Sequence, residues 1–164
     1  MIDGAPKAPS SASCKTLCAI FENNNQYMEI TNEVKTRNIK FIKVESVRDH
    51  YPSHRIQIEI GTENIQTNFD NYIWLSDTNI ENFLTELDKL DKYRKGQAIL
   101  ESMSPEEMQL VFKAIDDLGH LSVALQLAKE NRINQDYSYT IKVEFEIDPT
   151  SLANIKREML ELMK

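Results

Sequence analysis

Glycine is scarce in this chain, with four in 164 residues, and so are cysteine, with two, and tryptophan, with one. Loops that cradle phosphate with bare backbone need glycine at fixed spacing, and neither a Walker loop nor G-x-G-x-x-G occurs; G-x-S-x-G, H-E-x-x-H and C-x-x-C are absent too. No enzymatic activity and no cofactor are expected on this basis. No run approaches the roughly 20 consecutive apolar residues that cross a bilayer, so no membrane association is expected. "MIDGAPKAPSSAS" lacks both the basic start and the apolar stretch of a secretory signal, and the chain is expected to stay in the cytoplasm. Cys14 and Cys18 form a lone C-x-x-x-C, read as two ordinary thiols in a reducing compartment. Basic charge is also short: 19 Lys and Arg against 26 Asp and Glu give −7 at pH 7. The most basic stretch, "KTRNIKFIK", alternates its charges with Ile39 and Phe41, as a solvated strand face does, so a nucleic-acid surface is not expected.

What the chain does have is a hydrophobic fraction of 41%, enough to bury a core without disulfides or metal. Residues 1–13, rich in Ala, Pro and Ser, read as a flexible tail, and residues 14–164 as one domain. Asn23-Asn24-Asn25 between two apolar runs suggests a hairpin. "NIKFIKVESV" reads as a strand, and "RDHYPSH" as a break around Pro52. In "RIQIEI", Ile56, Ile58 and Ile60 alternate with Arg55, Gln57 and Glu59, and Ile65 to Leu75 is expected to return beside it after a turn at Gly61 to Asn64.

The period then changes. Ile80, Phe83, Leu84, Leu87 and Leu90 have helical spacing, Thr78 and Glu81 fit a capping box, and Gly96 follows a basic last turn. "QAILESM" reads as a short strand. "SPEEMQLVFKAIDDLGH" supports two structures: a helix capped by Ser104 and ended by Gly119, or a strand with Met108, Leu110, Phe112 and Ala114 on one side. The strand is favoured because "HLSVALQL" offers a partner across a "DDLG" turn, which pairs Glu107 to Ala114 with Leu121 to Leu127. "YTIKVEFEID" alternates with Ile141, Val143, Phe145 and Ile147 inward, and Asp148-Pro149 opens a terminal helix with Leu152, Ile155, Met159 and Leu162 on one face. The expected fold is α+β: mainly antiparallel sheet built from hairpins, with one central and one C-terminal amphipathic helix.

Among chemistry-bearing residues, His50 and His54 in "DHYPSH" could bind metal with Asp49, but no further ligand is signalled, and a pair of loop histidines is expected. His120 beside Asp116 and Asp117 could be a base oriented by a carboxylate; with no nucleophile indicated, a turn histidine is expected. Trp74 is expected in the core.

The order of "NIENFLTELDKL", "AILESM", "EEMQLVFKAIDDLGHLSVALQL" and "YTIKVEFEIDPTSL" resembles the WapI-type family of bacterial immunity proteins, most of all in "DDLGHLSV" and "IDPTSL". The resemblance spans roughly the second half of the chain and brings no catalytic residue with it. It implies a cytosolic antidote that binds the cognate toxin domain of a polymorphic or contact-dependent system. The alternative is a structural or accessory binding module without inhibitory activity. With a net charge of −7, a toxin of basic character is the expected partner, and Asp116, Asp117, Glu144 and Glu146 are the candidate partner-binding residues.

Overall fold

The computed structural model describes residues 27–69, 72–129 and 139–164. The expected N-terminal tail, Cys14 and Cys18, and the Asn23 to Asn25 turn lie outside the described residues. The chain forms two antiparallel sheets, each followed by a helix. The first holds β1 (Tyr27–Thr31), β2 (Asn38–Val47), β3 (Ser53–Gly61), β4 (Gln66–Asn68) and β5 (Ile73–Ser76), in the order β1-β2-β3 with both β4 and β5 pairing β3. Helix α1 (Asp77–Tyr93) follows. The second sheet is β6 (Gln97–Glu101), β7 (Met108–Ala114), β8 (Leu121–Lys129) and β9 (Tyr139–Ile147), paired in sequence order. A 3-10 turn, Pro149–Ser151, leads into α2 (Leu152–Leu162).

Period-two burial builds both sheets. Met28, Ile30, Ile39, Phe41, Ile56 and Ile58 are fully buried on one face of the first, and Ala98, Leu100, Leu110, Phe112, Leu121, Val123 and Leu127 on one face of the second. The helices cover these faces. Phe83 of α1 meets Phe112 of β7 with ring centroids 5.8 Å apart, and α2 lies against β1, where Glu158 accepts a hydrogen bond from the Glu29 backbone N–H. The buried apolar residues of both sheets and both helices form one cluster.

Met108–Ala114 is a strand, in register with Leu121 to Leu127 on one side and with Gln97 to Glu101 on the other. Ser102, which is buried, explains why the helix-start chemistry of Ser104-Pro105-Glu106-Glu107 goes unused. Its hydroxyl accepts from the Met108 N–H at 3.0 Å and donates to the Ser104 carbonyl at 2.6 Å, folding the segment into the β6–β7 turn. Glu106 sits there at φ +65°, which a helix cannot contain. At the β7–β8 turn Gly119 has φ +95°, the left-handed region that a residue without Cβ enters freely.

Three local expectations shift. The cap of α1 is Ser76, whose Oγ accepts the Asn79 N–H at 3.1 Å, two residues before the expected Thr78. The helix ends on Arg94 in the left-handed conformation, ahead of Gly96. The return expected as one strand from Ile65 to Leu75 is split into β4 and β5.

Candidate functional site

The four acidic residues singled out from the sequence fall at one end of the second sheet. Asp116 and Asp117 lie in the turn joining β7 to β8, while Glu144 and Glu146 point outward from β9. Glu146 is in register with Ser122 and Glu144 with Ala124, so both carboxylates share the polar face of the sheet with Ser122 and Lys113.

Three of the four acids meet a base within the chain. Asp116 folds its own turn: Oδ1 accepts from the backbone N–H groups of Leu118 at 2.9 Å and His120 at 3.2 Å, and Oδ2 meets His120 Nδ1 at 2.5 Å. Asp117 lies 3.4 Å from Lys95, just past the end of α1. Glu144 lies 2.7 Å from Lys113 Nζ, and the Ser122 hydroxyl reaches it at 3.5 Å. Glu146 has no ion pair among the described residues.

The titrations follow this geometry. The hydrogen bond from His120 holds the Asp116 carboxyl below its usual value, and the same bond, with the charges of Asp116, Glu146 and Glu33, lifts His120 above the usual histidine value. Lys113 holds Glu144 below the usual carboxylate value. Glu33 is a residue the sequence did not indicate. It belongs to the β1–β2 turn, and that turn also sends Arg37 Nη1 to the Glu144 carbonyl at 3.4 Å. The end of the molecule therefore joins loops from both sheets in a network of mixed charge, in which Glu33, Glu146 and Arg37 have no ion pair among the described residues and the acids outnumber the bases.

His120 is thus a turn residue, fixed by Asp116 on the backbone and at the ring. His54 departs from expectation. It is a strand residue of β3, 2% exposed, with Nδ1 2.9 Å from the Ser46 hydroxyl and Nε2 2.9 Å from Asp77 Oδ1. The sequence carries the signal: His54 has the parity of Ile56, Ile58 and Ile60, although Pro52 points to a later strand start. Trp74 is also corrected. Ile73 and Leu75 point inward, so Trp74 between them faces out, half-buried and in register with Arg55. Among the described residues no three His, Cys, Asp or Glu side chains cluster as a metal site, and no helix is long and apolar enough to cross a membrane.

Opposite shifts at the two histidines give a pH test. Burial outweighs the attraction of Asp77 and pulls His54 below the usual histidine value, with Lys43 and Arg48 acting in the same direction as burial. The unfolded chain therefore binds the proton first, and the His54 contribution to stability is lost as pH falls below the ordinary value, levelling off beneath the depressed folded one. His120 has the reverse sign: its contribution is present below the ordinary value and is lost as pH rises through the raised folded one. Imidazole NMR titration should place the His54 and His120 midpoints on opposite sides of the usual histidine value, and Asp116→Asn should lower that of His120 alone. Coincident midpoints would contradict both environments.

The family model described as "Immunity protein WapI-like family" matches residues 34–164. The chain belongs to this family. The match begins within the β1–β2 turn, so the immunity-family region takes in most of the first sheet as well as the half of the chain on which the sequence resemblance rested. No curated protein matches the chain. A solved structure described as "Crystal structures of trypanosoma bruciei MRP1/MRP2" is similar at 10% identity and a TM-score of 0.44, over 96% of this chain and 95% of that one.

Proposed function

We propose that this immunity-family chain is a cytosolic antidote that neutralises a cognate toxin domain of basic character by stoichiometric binding, without catalysis. Membership of the immunity protein family over residues 34–164 carries the reading. The charged end of the second sheet is the proposed contact, through Asp116, Asp117, Glu144 and Glu146. Two features support that choice. The excess charge of the network is negative, which suits a basic partner, and the ion pairs Glu144–Lys113 and Asp117–Lys95 are exposed, so a partner's Lys or Arg can replace the internal base at little cost.

Co-expression tests this directly. The toxin domain encoded beside this chain should be lethal alone and harmless with it, and the two should co-elute as a complex of fixed stoichiometry. Protection should survive His120→Ala, because blockade by binding needs no proton transfer. A folded chain that neither protects nor co-elutes would end the proposal, and a His120→Ala variant that binds fully yet fails to protect would end its non-catalytic part.

A further inference from the structure

A second feature of the surface lies away from the charged end. The segment after β2, strand β5 and the segment after β6 enclose an open cleft of about 520 Å³, within the roughly 300–1,000 Å³ of clefts that bury a small ligand. Its lining is mixed: Val47, Trp74, Tyr51 at 79% exposure and Met103 at 45% supply the apolar surface, and Asp49, His50, Ser53 and Ser104 the polar part. Main-chain hydrogen bonds brace the walls. The Met103 N–H donates to the Trp74 carbonyl at 2.8 Å, and the Asp77 N–H donates to the Pro52 carbonyl at 3.1 Å. Trp74 is held further by stacking: the Arg55 guanidinium lies 6.0 Å from its ring centroid and 4.6 Å from that of Tyr72.

Trp, Tyr and Met are the side chains that protein interfaces concentrate at their centres, and a braced cleft loses little freedom when it is filled. Here the only tryptophan of the chain lines such a cleft, beside a tyrosine that is almost wholly exposed. We propose that this cleft is an anchor for the toxin domain and takes one of its apolar side chains, aromatic or long aliphatic, flanked by a Lys or Arg that reaches Asp49. The Asp49 carboxylate in the lining and the −7 of the whole chain set the sign of that flanking charge. The inference rests on the toxin-binding reading above and adds to it an apolar site at a separate place.

Because Trp74 is unique, 5-fluorotryptophan labels the cleft alone. Titrating the labelled full chain with the toxin domain encoded beside it should shift the single fluorine resonance, saturating at the stoichiometry of the complex. Tyr51→Ala with Met103→Ala removes exposed side chains and should leave the melting temperature unchanged, while speeding dissociation by roughly 30-fold, the loss of a strong interface anchor. Asp49→Lys, which removes no apolar contact, should weaken binding on its own. A complex that forms with an unmoved resonance, or with unchanged dissociation in both variants, overturns the anchor while leaving the toxin-binding reading intact. Failure to form any complex removes the reading beneath it.

Discussion

Replacing Phe112 by Ala is expected to destabilise the chain by about 3–5 kcal/mol, because the change removes a whole buried ring and leaves a cavity that rigid neighbours cannot close. Phe112 and Phe83 are both fully buried, and their contact is where α1 meets the middle of the second sheet. β7 pairs on both sides, so the backbone around the hole has little freedom to collapse inward. Urea denaturation of the variant should show the loss as a lower midpoint with a nearly unchanged slope. A loss below about 1 kcal/mol would mean that this face of β7 is not core.

The second large effect is on association. If the charged end faces a basic toxin domain, reversing its two uncompensated acids, with Glu33→Lys and Glu146→Lys together, should slow association by about 10-fold or more at low salt, with the gap closing as salt rises. The melting temperature should barely move, since neither side chain has an ion pair among the described residues to lose and exposed charges contribute little to folding. Glu144→Lys should also slow association, but it faces Lys113 with a like charge and should lower the melting temperature slightly. Stopped-flow association at two ionic strengths separates these outcomes. Rates indifferent to both salt and reversal would remove the charged end from the interface.

The fold was largely legible because its strands are amphipathic and its turns short. Alternation placed β3, β7, β8 and β9, and pairing decided the one segment with both helical and strand chemistry. That choice could not come from local preference: Ser104-Pro105-Glu106-Glu107 is sound helix-start chemistry, overridden by Ser102 and by two flanking strands. His54 and Trp74 depart from expectation for a shared reason: at both positions residue type and strand parity point opposite ways. A histidine two residues after a proline suggests a loop and a lone tryptophan suggests core, although the alternation through Ile56 and through Ile73 and Leu75 puts the first inside and the second outside. Of the charged end, the sequence shows Asp116 with His120, four residues apart. It does not show Glu33 or Arg37, which arrive from more than a hundred positions away from Glu144 along the chain and only because the two sheets share a core.

Each sheet is built from strands contiguous in the chain, residues 27–76 for the first and 97–147 for the second, so nearly every pairing is a local hairpin. Between the halves the contacts are long-range: α2 returns to β1 across 129 positions to set Glu158 on the Glu29 amide, and Arg37 reaches the Glu144 carbonyl across 107. Such a topology has low contact order within each sheet and long-range contacts where the halves meet, the last of them made by α2. On a ribosome the first sheet and α1 can assemble while later strands are still being made, but Met28 and Ile30 of β1 lose part of their cover until the last helix has emerged. An early stop codon that removes only α2 would therefore leave most hairpins formable and still uncover the apolar side chains of β1, the kind of surface that draws chaperones and seeds aggregation.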